Sequence, residues 1–402
     1  MANPSDKKSL LIILSVLLLV ASSTYLISFY ARGYKINFNK GVALQATGLL
    51  SATSRPKSAS VYVNDRLITA TDDTINLPPG DYTIRIAKDG YLPWEKQASI
   101  KKEIVFQTDA QLYRSVPDLR PVTLSGAISS ALSPDGSKIV YAVASASADR
   151  DNGLYQFDLN DNPIPLSRSS YKQLAPNFPG VDWSEFSFEF SPDGRSILAT
   201  NKISNVSYLI SLDSPINSRN LFDVTPRLSI IRDEWQREIT QNNLLKIEKL
   251  PKEIKAFIST DSAKAKFYFN TADEKVLYLA QTEGQIAPNI ITPPPAQSTQ
   301  TQTRDIKAGH YYVYDIKDDT NFHIGSEEDL NKPFWLPNSN SIIYLSDKQI
   351  KVIEYDATNH QILFAGNFNP DYVFPWADGS RIVTLIAPYE GAPENLYAIS
   401  IR

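Results

Sequence analysis

A polar turn followed by a short apolar strand recurs along the chain, most clearly as SPDGSKIVYAV at residues 133–143. Pro134 fixes the φ angle that the second position of a turn requires, Asp135 suits the third position, and Gly136 tolerates a positive φ. The strand that follows is apolar on both faces, which is typical of a strand that is buried on both faces. Further copies begin at Ser191, Thr271, Leu336 and Trp376. Five copies predict a repeat architecture.

A second apolar strand, ending in Asp or another polar residue, follows each turn. These strands begin at Leu154, Tyr208, Tyr311, Ile350 and Leu396. Turn, strand, strand and loop in repetition is typical of β-propeller blades. The third copy is longer than the others and contains PPPAQSTQTQTR at 293–304, which has no large apolar side chain. We therefore expect a low-complexity loop across 284–308, and we expect deletion of 293–304 to change the melting temperature little.

The two ends of the repeat array predict how it closes. The last copy ends in LYAISI and lacks a fourth strand, while PVTLS at 121–125 precedes the first copy and has no blade of its own. Pairing of 122–124 with 396–401 removes two exposed strand edges. This arrangement predicts five blades, or six if residues 232–258 contain another. The pattern around Trp235 indicates a short surface helix in that region.

The N-terminal stretch at 10–30 carries no charge and includes the run LLIILSVLLLV. At about 1.5 Å per residue it would be roughly 31 Å long, which is the thickness of the hydrocarbon core of a bilayer. We therefore predict a transmembrane helix at 10–30, with residues 1–9 in the cytoplasm and 31–46 as a juxtamembrane link. A cleaved signal peptide is the alternative, because the small residues at 21–23 resemble a cleavage site, although apolar residues continue beyond them.

From residue 48 to residue 114 the pattern changes to strict alternation, which indicates strands with one buried and one exposed face. SVYVN places Val61 and Val63 on one face, and LPPG at 77–80 supplies a turn. A further apolar run at 104–106 completes the segment. The length fits a small antiparallel β-sandwich that folds independently, with residues 114–121 as a linker.

The same segment resembles the PEGA domain, a small surface-associated β module. The resemblance rests on GLL at 48–50, VYVN at 61–64 and above all LPPGDYTIRIAKDGYLPW at 77–94, while PKSA at 56–59 stands where the family has Pro-Glu-Gly-Ala. It implies a domain over 47–114 with no catalytic residue to assign. Trp94 fits a half-buried core position better than a binding position.

The repeats resemble those of the TolB-type propellers, through the pattern of SPDG, a strand, and a strand of the LYxxDL kind. The resemblance implies a β-propeller over 115–402, in which the SPDG turns are structural. The predicted fold class is therefore mainly β, with an N-terminal transmembrane helix, a PEGA-type β-sandwich and a propeller of about five blades.

Composition excludes several classes of function. The formal net charge is -4, whereas a nucleic-acid partner needs a basic stripe. The chain contains no cysteine, which excludes disulfides, thiolate nucleophiles and cysteine-based zinc sites. The three histidines, His310, His323 and His360, are too few and too scattered along the sequence for a metal cluster.

The sequence carries no catalytic motif, since GxSxG, HExxH, Walker A and GxGxxG patterns are all absent. Asp158, Asn160 and Asn162 have calcium-loop spacing, but Pro163 and Ser169 stand where a calcium loop requires Gly and Glu. Two other polar clusters are interpreted as solvated loops, namely Asp149 with Asp151 and Asn152, and Glu327 with Glu328 and Asp329. We expect no catalytic residue, metal or cofactor, and the ligand-binding residues stay unassigned.

Two classes of function are left. We favour a membrane-anchored binding or scaffold protein of the cell envelope, with its main domains outside the cytoplasm, that recognises a protein, a peptide or a glycan. The lipid bilayer is then a partner through the N-terminal helix, and nucleic acid is not. The alternative is an enzyme that cleaves a glycan or a lactone in the propeller channel, which needs metal ligands or paired carboxylates. The inner-strand positions are small or apolar instead: Ser129, Ser130, Phe186 and Phe188.

Overall fold

The computed structural model describes residues 4–31, 35–37, 43–45, 47–159, 171–259, 265–292, 294 and 298–402. The chain is mainly β and separates into two compact units. The first unit comprises residues 1–89, 93–112 and 294–300, and the second comprises residues 90–92, 113–293 and 301–402.

The N-terminal helix α1 runs from Pro4 to Ala31. Its described side chains include many exposed apolar groups, such as Leu18 and Leu19. Within the described ranges, no helix combines the length and the apolar character that crossing a membrane requires. The transmembrane helix predicted at 10–30 is therefore not supported.

The first unit contains eleven short strands in the part of the chain that the structure describes. They are β1 (Lys35–Asn37), β2 (Ala43–Gln45), β3 (Gly48–Ala52), β4 (Ser54–Arg55), β5 (Ser60–Val63), β6 (Arg66–Ala70), β7 (Asp73–Leu77), β8 (Gly80–Ala87), β9 (Trp94–Ile100), β10 (Val105–Gln107) and β11 (Ala110–Gln111). Strands in the order β6-β5-β8-β9 form an antiparallel sheet, and β10-β3-β7 form a second sheet. Alternate residues such as Val61, Ile84 and Ile86 are buried, which confirms the predicted alternation.

The expectation of purely antiparallel pairing in this unit is wrong. Strand β10 runs parallel to β3, and β11 runs parallel to β4. Parallel strands need a long crossover, and the strands between β4 and β10 supply it. Asn64 and Asp65 both have positive φ angles, of 47° and 61°, as a tight two-residue hairpin turn requires.

In its described residues the second unit contains five four-stranded antiparallel sheets, which we number 1 to 5 along the chain. Strand β12 (Asp118–Pro121) comes first and belongs to sheet 5. Sheet 1 contains β13 (Ile128–Leu132), β14 (Lys138–Val143), β15 (Gly153–Asp158) and β16 (Tyr171–Pro176). Sheet 2 contains β17 (Phe186–Phe190), β18 (Ser196–Asn201), β19 (Ser207–Ser211) and β20 (Phe222–Asp223).

The remaining sheets follow after a helical segment. Sheet 3 contains β21 (Phe267–Phe269), β22 (Lys275–Leu279), β25 (His310–Asp315) and β26 (Thr320–Ser326), with the pair β23 (Gly284–Gln285) and β24 (Asp305–Ile306) inserted. Sheet 4 contains β27 (Asn331–Trp335), β28 (Ser341–Ser346), β29 (Gln349–Glu354) and β30 (Gln361–Ala365). Sheet 5 combines β12 with β31 (Val373–Pro375), β32 (Arg381–Ile386) and β33 (Asn395–Ser400).

Each of the five turns lies in a different sheet and joins two consecutive strands of it, which are β31 and β32 in sheet 5. Gly136 has a φ of 69°, and its amide donates to the carbonyl of Ser133 over 2.9 Å. In sheet 3 the corresponding residue is Asp273, with a φ of 55° and an amide that donates to Asn270. The start predicted for this copy at Thr271 is therefore wrong by one residue, because the turn begins at Asn270 and Asp273 takes the position of the glycine.

Apolar clusters lie between neighbouring sheets, which explains why the central strands are apolar on both faces. Sheet 1 shares one cluster with sheet 2 and another with sheet 5, and sheet 4 shares clusters with sheets 3 and 5. In β14, every residue from Ile139 to Val143 is buried. The burial predicted from the sequence of this strand is confirmed.

A helical segment separates sheets 2 and 3 in the chain, with α2 at Leu228–Glu248 and α3 at Lys252–Lys255. Ile254 packs in a cluster with Tyr278 of sheet 3, and the guanidinium of Arg232 lies 3.5 Å from the carboxylate of Glu189 in sheet 2. The helix predicted in this region is confirmed, and it is longer than expected. The described residues of this segment form no further blade-like sheet.

The predicted pairing between the two ends of the repeat array is confirmed, but the first strand of the pair begins at Asp118 rather than at Val122. Strand β12 pairs antiparallel with β33, with Asp118 opposite Ser400 and Pro121 opposite Tyr397. The amide of Val122 then donates to the carbonyl of Leu396 over 2.7 Å. The interpretation of 114–121 as a linker is therefore wrong, because its second half is an edge strand.

Candidate functional site

Several residues singled out in the sequence have structural roles. The ring of Trp94 is only 2% exposed, and the ammonium of Lys96 lies 5.4 Å from its centroid, so Trp94 belongs to the core. Asp158 accepts a hydrogen bond from Gln156, and the rest of the calcium-like spacing, at 160–169, lies outside the described residues. Phe186 packs between sheets 1 and 2.

Two of the three histidines, His310 and His323, are closer together than their sequence positions indicate. In the β25–β26 hairpin, Nδ1 of His310 and Nε2 of His323 are 2.9 Å apart. Burial, and then the neighbouring His310 and Lys307, lower the pKa of His323. Among the described residues no group of three or more His, Asp or Glu is arranged to hold a metal. The pair therefore gives no reason to assign a metal centre.

A groove of about 490 Å³ lies between sheet 1 and the segment 122–126, which leads from β12 to β13. We call it the tyrosine groove, because three tyrosines from neighbouring strands line it. The complete lining is Val122, Thr123, Leu124, Ser125, Gly126, Tyr141, Val143, Ala146, Ser147, Asp151, Tyr155 and Tyr171. None of these positions was assigned to a site from the sequence.

The register of sheet 1 places the three tyrosines on one face. Tyr141 in β14 lies opposite Tyr155 in β15, and their rings stack with centroids 5.8 Å apart. Tyr171 in β16 lies opposite Phe157, two residues after Tyr155 and therefore on the same face. The side chain of Tyr171 is 51% exposed. The result is an aromatic wall that extends from the core to solvent.

The environment keeps the phenols of Tyr141 and Tyr155 protonated. Burial raises the pKa of Tyr141, with smaller contributions from Tyr155 and Tyr171. Burial also raises the pKa of Tyr155, and the carboxylate of Asp151 raises it further. The hydroxyl of Tyr155 donates to the main-chain oxygen of Asp151 over 2.7 Å. A neutral phenol both donates and accepts hydrogen bonds, so the wall presents rings together with hydroxyl groups.

The main chain of residues 122–126 forms the opposite wall of the groove, and the side-chain amide of Asn395 holds it in place. Oδ1 of Asn395 accepts from the amide of Gly126 over 2.9 Å and from the hydroxyl of Thr123 over 3.1 Å. The same hydroxyl of Thr123 accepts from the amide of Leu396 over 2.9 Å. Gly126 has a φ of 83°, which favours glycine. The pairing of the chain ends therefore also positions this wall.

An exposed leucine stands on this second wall. Leu124 is 83% exposed, and it lines the groove together with Tyr171. Exposed apolar groups that line a concave site are typical of a binding surface. Among the described residues lining the groove, Asp151 is the only carboxylate and none is a histidine. The arrangement is suited to holding a ligand by ring contacts and hydrogen bonds.

Comparison with solved structures gives distant likenesses. TolB from Acinetobacter baumannii is 13% identical, with a TM-score of 0.20 over 79% of this chain and 60% of TolB. Pyrococcus horikoshii acylaminoacyl peptidase is 11% identical, with a TM-score of 0.20 over 69% of this chain and 39% of the peptidase. A chain of the mitotic checkpoint complex is 10% identical, with a TM-score of 0.32 over 72% of this chain and 92% of that chain.

Because all three TM-scores lie below 0.5, these likenesses support no conclusion about function. The chain also spans less than two thirds of TolB and less than half of the peptidase. None of the curated proteins is significantly similar to it. Residues 47–115 match the PEGA domain, which confirms the resemblance predicted over 47–114.

Proposed function

We propose that this chain is a binding or scaffold protein of the cell envelope that holds an extended peptide segment of a partner in the tyrosine groove. The observation that carries the proposal is the aromatic wall of Tyr141, Tyr155 and Tyr171, which faces the main chain of 122–126. The groove between them has a volume of about 490 Å³. Grooves lined by aromatic rings recognise extended, proline-rich peptides, whose preformed conformation lowers the entropic cost of binding.

Two features support a peptide as the occupant. Leu124 and Tyr171, which line the groove, have exposed apolar surface. Covering that surface with an apolar side chain of a partner is favourable and contributes to the free energy of binding. The hydroxyls of Tyr141 and Tyr155 stay neutral, because burial raises the pKa of both groups, and they fix the orientation of a peptide by hydrogen bonds. Catalysis is not part of the proposal, since glycan cleavage needs a pair of carboxylates and Asp151 is the only one among the described lining residues.

We further propose that the five sheets are blades of a β-propeller of the TolB type, which presents the groove. Five consecutive four-stranded antiparallel sheets, with β12 completing sheet 5, support this arrangement. The location that we propose is the cell membrane. The exposed apolar side chains of α1, such as Leu18 and Leu19, support association of that helix with lipid.

Replacement of Tyr155 by Ala should abolish most peptide binding. We expect a fluorescein-labelled decaproline peptide to bind the full-length protein in detergent, and the Tyr155→Ala variant to bind at least tenfold more weakly. Loss of the ring removes an aromatic contact worth about 0.5 to 1.5 kcal/mol, together with the apolar area that the ring buries. Fluorescence anisotropy measures both affinities. Tyr389→Ala is the matched control, since Tyr389 is 71% exposed and does not line the groove.

Two results would contradict the peptide proposal. One is equal affinity of the wild type and the Tyr155→Ala variant. The other is binding of a chitooligosaccharide, with the same dependence on Tyr155, by a protein that does not bind decaproline. That second result would assign the groove to a glycan.

A further inference from the structure

Sheet 5 carries a second concave site, and it is chemically unlike the tyrosine groove. A cleft of about 420 Å³ is lined by Arg114, Asp118, Arg120, Val122, Trp376, Ser380, Arg381, Ala398, Ser400 and Arg402. We call it the arginine cleft. It contains four guanidinium groups and one carboxylate among the described lining residues, although the whole chain has a formal net charge of -4. The local excess of positive charge is therefore a property of this site.

Neighbouring groups hold the arginines in place. The guanidinium carbon of Arg381 lies 4.7 Å from the centroid of Trp376, a distance at which a cation and a ring attract each other. Nη1 of Arg402 donates to the main-chain oxygen of Asp378 over 3.3 Å. Nε of Arg114 donates to the main-chain oxygen of Arg402 over 2.8 Å. Arginines held by such contacts form a preorganised set of donors.

Arg114 and Arg120 are the most exposed arginines of the cleft, and their terminal nitrogens can donate to a ligand. Arg114 uses Nε for the bond to Arg402, and Arg120 uses Nε for Asp118 at 2.7 Å. Of the described residues, none accepts from the terminal nitrogens of Arg114 or Arg120 in a hydrogen bond. A planar guanidinium with two terminal nitrogens matches the paired oxygens of a phosphate or a carboxylate.

We propose that the arginine cleft binds a phosphate group of a ligand. Four like charges in one cleft repel one another, and an anion among them removes that repulsion. Phosphate offers more oxygens to the four guanidinium groups than a carboxylate does, and the serine hydroxyls of Ser380 and Ser400 lie in the same lining. The site goes beyond the proposed peptide groove, from which it differs in every lining residue except Val122.

The test is isothermal titration of the full-length protein in detergent with inorganic pyrophosphate at low ionic strength. We expect a dissociation constant of about 0.1 to 1 mM, weakened at least tenfold by Arg114→Gln together with Arg120→Gln, because charge-assisted hydrogen bonds are lost. The matched control is Arg195→Gln with Arg219→Gln, which changes two exposed arginines outside the cleft. All these positions are exposed, so the variants should keep the melting temperature of the wild type.

Comparison of two probes identifies the source of the phosphate. Tighter binding of glycerol 1-phosphate than of pyrophosphate supports a lipid headgroup, and the reverse order supports a free phosphate compound. Tyr155→Ala should leave both affinities unchanged, so that failure of the peptide groove and failure of the arginine cleft give different results. Absence of binding at 10 mM, or equal weakening in the control variant, would overturn the proposal.

Discussion

Replacement of Thr123 by proline should destabilise all five sheets of the second unit together. Thr123 is buried, and its hydroxyl and amide make three hydrogen bonds to Asn395 and Leu396. Proline removes the hydroxyl and the amide hydrogen, and it leaves the buried amide of Leu396 without its acceptor. Each buried group left unsatisfied costs about 1 to 3 kcal/mol, so we expect a loss of about 3 to 5 kcal/mol in the free energy of unfolding.

The control is a graded pair of substitutions at the same position. Thr123→Ser keeps the hydroxyl and should cost less than about 1 kcal/mol, whereas Thr123→Val removes only the hydroxyl and should cost about 1 to 3 kcal/mol. Hydrogen exchange in the proline variant should rise in all five sheets, because β12 joins the two ends of the unit. Faster exchange confined to β12 and β33 would show that the remaining sheets are stable without the closure.

Replacement of Arg304 by Ala should cost about 3 to 5 kcal/mol, because it leaves a buried carboxylate without its cation. Nη1 of Arg304 lies 3.1 Å from Oδ1 of Asp319, whose side chain is 2% exposed. Asp319 also accepts from the hydroxyl of Tyr314 and the amide of Ile290, each over 2.9 Å. Those two bonds hold the carboxylate in place after Arg304 is removed, so it cannot turn to solvent.

Denaturant unfolding measures this effect. Arg219→Ala, at an exposed arginine of the same unit, should change the free energy of unfolding by less than about 0.5 kcal/mol. Arg304→Met combined with Asp319→Asn should recover part of the loss, since it removes the unpaired charge and keeps an oxygen that can accept from Tyr314 or Ile290. A loss below about 1 kcal/mol in Arg304→Ala would contradict the assignment of a buried pair.

The ion pair between Arg304 and Asp319 also corrects the expectation that residues 293–304 form a dispensable loop. Residues 293–304 contain no large apolar side chain, which predicted that their deletion would have little effect. The structure shows that Thr303 pairs with Asn321 and that Arg304 pairs with Asp319. Deletion of the whole stretch would therefore remove a structural ion pair. Composition failed here because one polar residue makes a buried contact that depends on a partner fifteen positions away.

Local patterns predicted most of the β architecture. The SPDG turns need a residue that tolerates a positive φ, and Gly136 supplies it in the first copy. Strands such as β14 are apolar at successive positions, which predicts burial on both faces. The pairing of the two ends of the repeat array was predictable, because the strand at each end had no neighbouring strand in its own part of the sequence. Strand β12 itself was missed, since Asp118 and Arg120 are polar residues of an edge strand and leave no alternation in the sequence.

The two sites could not be predicted, because they depend on register and closure. Tyr141 and Tyr155 have the sequence pattern of core residues, and only the pairing of β14 with β15 shows that their rings stack beside a groove. The arginine cleft joins Arg114 to Arg402, positions at opposite ends of the second unit's sequence. No local motif brings such residues together. The arginine cleft includes residues of β12, the tyrosine groove includes the segment that follows β12, and Val122 lines both sites.

The pairing of β12 with β33 is therefore the central claim, and disulfide formation tests it most directly. Arg120 lies opposite Ala398, and opposed residues in an antiparallel pair have Cα atoms about 4.5 to 5.5 Å apart, within the range of a disulfide. The natural chain has no cysteine, so no other pairing competes. We predict that Arg120→Cys with Ala398→Cys forms a disulfide under mild oxidation, while Arg120→Cys with Ser400→Cys, displaced by two residues, does not. Free thiols in the first variant, or equal oxidation of both, would contradict the closure on which the two sites depend.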